Sequence, residues 1–240
     1  MGSSVNNIKF MTSRHNATAI YDQIGVPAFE PDQHVDCEMW YKYNTNQILS
    51  SGTTNCESWK DATYHSRHML QATTAEKPQK DTGEDFLTFD SSVDSNLQTA
   101  TTLDIDGEFV IGMRVNIETT NGTILGSNTT AGELIKIAST VNMIVKIDNT
   151  ARTITLEGET FGDDYLVLAR DGDDIITLYR NGDPVEDTAV LSGTLDIDCM
   201  GIRATDTNGF DGSIYDISVF STYDEQLVSD LNGYLSKIAP

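Results

Sequence analysis

Oxygen-bearing side chains supply most of the candidate chemistry in this chain. Asp206, Asn208 and Asp211 lie close together around a glycine turn. Calcium prefers carboxylate, amide and backbone oxygens presented by loops, so these three residues are candidate calcium ligands. The EF-hand pattern, with its spaced acidic residues and closing glutamate, is absent. The alternative interpretation is that these residues form a turn and carry solvated charge. Further acidic clusters occur at 104–106, 163–164, 171–174 and 196–198.

Aromatic, histidine and cysteine side chains indicate less specific chemistry. Trp40 and Trp59 could stack on a sugar ring, but large aromatics in strands more often fill a core. His65 and His68 lie in a polar stretch without an obvious third metal ligand. No Gly-x-Ser-x-Gly turn marks a nucleophilic serine. The spacing of Cys37, Cys56 and Cys199 matches neither a disulfide framework nor a zinc site. We therefore predict buried thiols in a protein made in a reducing cytosol.

The charge of the chain excludes two classes of partner. Thirty-seven acidic residues against 15 Lys and Arg give a formal net charge of −22. Nucleic-acid affinity and attraction to anionic membranes both depend on Lys and Arg, so we expect neither partner. The charge indicates solubility first, and a cation-rich environment or a basic partner second. No signal peptide and no membrane-spanning apolar stretch is recognisable.

The elements that must position these residues are mostly strands. From about residue 36, short apolar or alternating runs recur between Gly, Asn and Asp. Asn121-Gly122 and Asn181-Gly182 predict β-hairpins, because both residues tolerate positive φ, and the stretch 171–174 predicts a third. Residues 109–117 predict a strand with one face toward the core and one toward water. Many strands with few helices indicate a sandwich.

One helix is predicted near the C-terminus. Thr222 and Glu225 have the spacing of a capping box, which places the helix start at Thr222. Apolar residues then recur at helical spacing on one face, so we expect the helix to pack on the sheet: Leu227, Leu231, Leu235 and Ile238.

The chain divides into two predicted regions. Residues 1–35 are polar and mixed, without a sustained period, and predict an extended N-terminal arm or linker. Residues 36–240 predict one β domain. The arm has more apolar side chains than a free tail normally carries, which favours packing against a neighbouring subunit over disorder.

Several short motifs occur in a familiar order. They are the strand 39–41, the Trp-x-Asp segment 59–61, the stretch 68–78, the strand 87–90, the hairpin 178–182, and the closing strand 210–220 with its helix. Together they resemble concanavalin A-like, laminin G-like jelly-roll domains over residues 38–238. The resemblance implies an all-β, two-sheet antiparallel jelly-roll sandwich with a short C-terminal helix and an extended N-terminal arm. Many such domains bind calcium at a sandwich rim.

The resemblance also carries functional expectations. Such modules occur in virion proteins of tailed phages, in secreted lectins and in bacterial surface proteins. The missing export signal favours the phage setting: a non-enzymatic capsid-decoration or tail protein, assembled in the host cytoplasm and bound to other virion proteins through the arm. The alternative is a lectin-like adhesion module, calcium-assisted, that binds a host-surface glycan. Homo-oligomerisation stays open. The Glu-x-Asp-x-Glu strand of related glucanases is missing, which argues against a glycosidase.

Overall fold

The computed structural model describes residues 29–80, 83–156, 158–203 and 208–238. Its 17 strands form two antiparallel sheets, and one α-helix follows the last strand. Short 3-10 turns occur at Pro31–Gln33, Thr74–Glu76 and Ser91–Val93. The strands are β1 (Cys37–Tyr41), β2 (Gln47–Leu49), β3 (Cys56–Trp59), β4 (Met69–Leu70), β5 (Leu87–Phe89), β6 (Leu97–Asp106), β7 (Phe109–Ile117), β8 (Gly122–Gly126), β9 (Leu134–Ile137), β10 (Asn142–Ile147), β11 (Thr150–Thr155), β12 (Asp163–Arg170), β13 (Ile175–Arg180), β14 (Asp183–Pro184), β15 (Ala189–Val190), β16 (Thr194–Met200) and β17 (Gly212–Phe220); the helix is α1 (Glu225–Leu235).

The two sheets stack as a sandwich, as the sequence predicts. One sheet has the order β1-β17-β7-β12-β13-β14, with β5 on β17 and β15 on β13. The other has nine strands in the order β11-β10-β9-β8-β16-β6-β4-β3-β2. Strands β8 to β11 and β12 to β14 lie side by side in chain order, whereas the pairs β1–β17, β17–β7 and β16–β6 join strands that are distant in sequence. Such long connections between neighbouring strands are typical of a jelly roll. Both tryptophans are buried, as expected, and all three cysteines are buried and form no disulfide.

Helix α1 covers the outer face of the smaller sheet, and this overturns one expectation. β7 was predicted to expose one face to water, yet nearly every residue in it is buried. Val110 on the outer side packs with Leu231 of the helix. Gly112 makes this approach feasible, since a Cβ there would lie 2.6 Å from Cδ2 of Leu231. The predicted apolar face of the helix is confirmed.

The helix begins later than the sequence predicts. Asp224, in extended conformation, is the N-cap, and its carboxylate accepts from the amides of Gln226 (2.7 Å) and Leu227 (3.4 Å). The capping box at Thr222 is therefore wrong. Asp and Thr are both good caps, and the chain takes the aspartate that directly precedes the apolar face.

The predicted hairpins have different outcomes. Asn181 and Gly182 both have positive φ, 52° and 94°, and join the paired strands β13 and β14, so this hairpin is confirmed. The turn at 171–174 joins the paired strands β12 and β13, as predicted. Asn121 also has positive φ, but β7 and β8 belong to different sheets. The hairpin predicted at Asn121-Gly122 is therefore wrong, because this turn carries the chain from one sheet to the other.

The predicted arm lies largely outside the described residues, which begin at Phe29. Phe29 itself contacts the domain: its ring centroid lies 6.5 Å from those of Phe220 and Tyr234. The division at residue 35 stays a prediction. Within the described ranges, no helix has the length and apolar character needed to cross a membrane.

Candidate functional site

Five loops meet at one end of the sandwich, where β7 and β13 end and where β12 and β17 begin. The carbonyl oxygen of Asp211 accepts from the amides of Glu118 (3.1 Å) and Thr119 (3.4 Å), and the Phe161 amide donates to the Thr140 carbonyl (2.8 Å). These backbone bonds join the loop at 208–211 to the loop at 118–121, and the loop at 158–162 to the loop at 138–141. The Ile117 amide, which donates to the Gly162 carbonyl (2.8 Å), links the two pairs. We call the surface formed by the five loops the rim; it comprises residues 118–121, 138–141, 158–162, 181–182 and 208–211.

Two of the three predicted calcium ligands lie on the rim. The side-chain oxygen of Asn208 accepts a hydrogen bond from Nζ of Lys136 (3.0 Å). Oδ2 of Asp211 accepts from the hydroxyl of Thr119 (3.1 Å). Asp206 lies outside the described residues. The described part of the chain holds no group of three or more His, Cys, Asp or Glu side chains suited to a metal ion. Calcium binding stays a prediction.

A cleft of about 470 Å³ borders the rim and shares Glu159 and Asn181 with it; we call it the rim cleft. It opens between the β13–β14 turn and the segment that leads into β12. Its volume lies within the range of about 300–1,000 Å³ that is usual for small-molecule sites. Its lining combines charged, amide and aliphatic side chains: Leu156, Glu159, Arg180, Asn181, Asp183, Pro184, Val185 and Glu186.

A buried carboxylate fixes one wall of this cleft. Asp164 is about 1% exposed, and its Oδ1 accepts from Nε of Arg180 (2.8 Å) and from Nδ2 of Asn181 (2.9 Å). Its Oδ2 accepts from the Gly162 amide (2.8 Å). Asn181 in turn accepts from the Tyr165 amide (3.0 Å) through its side-chain oxygen. A buried carboxylate with charge-assisted bonds holds its partners in fixed positions, so the wall is preorganised.

The remaining bonds of Arg180 complete the site. Its guanidinium forms an ion pair with Glu159 and donates through a terminal nitrogen to the carbonyl of Thr160 (2.6 Å). Glu159 is 70% exposed, and Asp183 and Glu186 are also exposed. Three carboxylates against one guanidinium leave the lining net negative.

This arrangement suits a neutral, hydroxyl-rich ligand. Carboxylate oxygens accept hydrogen bonds from hydroxyl groups, while Asn181 and Arg180 add donors beside them. Leu156, Pro184 and Val185 supply aliphatic contact. An anionic ligand would face uncompensated negative charge at close range, which is unfavourable. The chemistry is that of recognition, with orientation set by a few polar groups in a partly apolar cleft.

Two other acidic residues lie away from the rim cleft, in or directly beside the nine-stranded sheet. Asp196 of β16 is paired with Asp104 of β6, and burial, followed by repulsion from Asp104, raises the pKa of Asp196. Burial raises the pKa of Glu133 to about 7, and the neighbouring Asp148 and Asp196 act in the same direction.

The sequence analysis did not identify Arg180 or Glu159 as site residues. A usable signal was present, because Arg180 directly precedes the Asn181-Gly182 turn and Asp164 was noted in an acidic cluster. Their contact depends on the pairing of β12 with β13, in which Leu166 lies opposite Arg180. The register of β12 against β13 therefore determines this contact, and the order of residues along the chain does not show it.

The comparisons agree with this fold. The chain is similar to the binding domain of Paraclostridial Mosquitocidal Protein 1, with TM-score 0.56 and 13% identity, over 85% of this chain and 53% of that one. This chain thus spans about half the length of that domain. It is also similar to domain 4 of AbnA, a GH43 extracellular arabinanase from Geobacillus stearothermophilus, solved in complex with arabinotriose. There the TM-score is 0.54 and the identity 12%, over 82% of this chain and 98% of that one.

No protein-family model matches the sequence, and no curated protein matches it. At identities of 12–13%, the similarity to solved structures establishes the fold alone. The chain is a two-sheet antiparallel β-sandwich of the jelly-roll kind, a fold that it shares with these solved chains.

Proposed function

We propose that this chain is a non-catalytic carbohydrate-binding module that takes neutral oligosaccharides in the rim cleft. The observation that carries the proposal is the wall built on Asp164, which fixes Arg180 and Asn181 beside the exposed carboxylates. The sandwich fold supports it, because one structurally similar chain is the binding domain of a larger protein and another, domain 4 of an arabinanase, was solved in complex with arabinotriose. This is the lectin-like alternative of the sequence analysis.

Substitutions at exposed acids test the cleft without disturbing the fold. Asp183→Ala and Glu186→Ala remove hydroxyl acceptors from the lining and leave the buried Asp164–Arg180 pair intact. Arg180 is unsuitable for this purpose, because its removal would leave the buried Asp164 unpaired. Asp173→Ala is the matched control, since this exposed aspartate lies in the β12–β13 turn at the opposite end of the sandwich.

Isothermal titration calorimetry with arabinotriose, xylotriose, cellotriose and maltotriose gives the measurement. We expect the wild-type chain to bind at least one of them, and an anionic analogue of that saccharide to bind more weakly. We expect at least one of the two cleft variants to bind that saccharide about tenfold more weakly, the equivalent of about 1.4 kcal/mol, because it has lost a hydroxyl acceptor. Wild-type affinity in both cleft variants would refute the cleft, and no binding of any probe would refute the saccharide function.

Placement on a phage virion is a separate proposal, motivated by the order of motifs and by the apolar side chains before residue 36. It is compatible with glycan binding, because a decoration protein can also attach to a host surface. Mass spectrometry of purified phage particles tests it. Recovery of the chain at a fixed stoichiometry would support the virion role, and its absence from intact particles would overturn it.

A further inference from the structure

The loop between β3 and β4 presents an exposed aromatic side chain on a rigid support. Tyr64 is 77% exposed, and its ring centroid lies 3.9 Å from that of His65 with an interplanar angle of 34°. Every other Phe, Tyr or Trp among the described residues is buried or half-buried. The Tyr64 ring therefore contacts the His65 ring and remains largely exposed to solvent.

The support under this ring is built from buried polar contacts. Asp61, nearly fully buried, accepts from the amides of Trp40 (3.0 Å), Thr63 (2.9 Å) and Arg67 (2.9 Å), and from the hydroxyl of Thr63 (2.8 Å). Ser66 has a φ of 57°, which turns the chain back toward the sheet. One carboxylate thus closes the loop at several points, so Tyr64 is displayed by a defined conformation.

His65 is held in the same network. Its Nε2 lies 3.5 Å from Oε2 of Glu38 in β1. Glu38 also pairs with Arg67 (3.1 Å) and accepts from the hydroxyl of Ser221 (3.0 Å). The lower face of the stack is therefore anchored to both β1 and the end of β17, and the exposed tyrosine is preorganised rather than loosely attached.

This platform is remote from the rim cleft. Glu38 and Ser221 lie where β17 ends, whereas the rim lies where β17 begins at Gly212. Nine extended residues separate the two ends by about 26 Å. A ligand of two or three sugar units cannot span this distance, so a contact at Tyr64 is independent of contacts in the cleft.

We propose that Tyr64 is a saccharide-stacking platform, on which the C–H face of a neutral sugar ring rests. This inference rests on the proposed saccharide binding and adds a second contact point to it. A flat aromatic face with polar groups around it provides apolar contact together with hydrogen bonding. Stacked nucleobases, the other common aromatic ligand, are disfavoured by the net charge of −22. The two tryptophans cannot take this role, because both are buried in the sandwich.

Matched variants of the full chain separate the platform from the cleft. Tyr64→Ala removes the ring, Tyr64→Phe retains it, and Asp183→Ala alters only the cleft. With the four neutral trisaccharides named above, we expect Tyr64→Ala to weaken at least one affinity about tenfold, the equivalent of about 1.4 kcal/mol. Tyr64→Phe should bind as the wild type does. Saturating saccharide should also protect Tyr64 from nitration by tetranitromethane, followed by peptide mass spectrometry.

The outcomes distinguish the two proposals. If Asp183→Ala loses affinity while Tyr64→Ala binds every probe as the wild type does, the platform is overturned and the cleft stands. If Tyr64→Ala loses affinity, Tyr64 is protected, and both Asp183→Ala and Glu186→Ala bind as the wild type does, the platform stands and the cleft is overturned. If the wild type binds no probe, both are overturned. Equal losses in Tyr64→Phe and Tyr64→Ala would assign the effect to the hydroxyl and refute stacking.

Discussion

The carboxylate of Asp216 makes the stability of this protein depend on pH. Asp216 lies in β17 beneath helix α1 and is completely buried. Its oxygens accept from Nε1 of Trp40 (3.1 Å), the amide of Tyr43 (3.1 Å) and the hydroxyl of Tyr234 (2.8 Å). Burial nevertheless prevails over these bonds and raises the pKa of Asp216 from an ordinary value of 3.8 to about 7.

The direction of the pH dependence follows from the upward shift of the Asp216 pKa. Between the unfolded and folded pKa values, the folded state binds a proton that the unfolded state has released. The stabilising contribution of Asp216 is therefore fully present below about pH 4 and is lost as pH rises through about 7. At 1.36 kcal/mol per pKa unit, raising the pH from about 5 to about 8 removes about 3 kcal/mol.

Urea denaturation at pH 5, 6, 7 and 8, monitored by tryptophan fluorescence, measures this contribution. Asp216→Asn keeps an acceptor for the Tyr43 and Tyr234 donors and cannot titrate. We expect the free energy of unfolding of the wild type to fall between pH 5 and 8 by about 3 kcal/mol more than that of the variant. Asp173→Asn, which removes an exposed charge, controls for the change in net charge.

The comparison between Asp216→Asn and the wild type shows whether Asp216 causes the pH dependence of stability. General repulsion at a net charge of −22 also grows with pH, but both chains share nearly all of it. Parallel pH profiles for the wild type and Asp216→Asn would refute the reasoning. Glu133, whose pKa is also raised to about 7, should leave a residual slope of the same sign in the Asp216→Asn profile.

Three further predictions concern packing, capping and thiol reactivity. Gly112→Ala should lower the free energy of unfolding by about 1–3 kcal/mol, because the new Cβ would overlap Leu231 in α1; an unchanged urea midpoint would contradict this contact. Asp224→Ala should cost about 1 kcal/mol through loss of the N-cap, whereas Thr222→Ala should cost much less, and the reverse order would restore the capping box. The three cysteines should react with Ellman's reagent only in denaturant, because all are buried and burial raises the pKa of two of them; fast reaction of the native chain would argue against this packing.

Local pattern determined much of the architecture. The apolar face of α1 follows from residues at helical spacing, and positive φ at Asn181 and Gly182 follows from what those residues tolerate. The many short strands indicated a sandwich, because the apolar face of a sheet must be buried against a second layer. These features depend on neighbours in the chain, so the sequence alone was sufficient for them.

Only the tertiary structure decided which residues meet. Asn121 makes a turn in either topology, and sheet assignment alone shows that it joins two sheets. Arg180 reaches Asp164 because of the β12–β13 register, and Tyr64 is displayed by a loop that Asp61 closes through the amide of Arg67, whereas both tryptophans are buried. The cleft and the platform both arise from long-range pairing, in which the free energy depends on residues far apart in sequence, and such pairing leaves no local pattern.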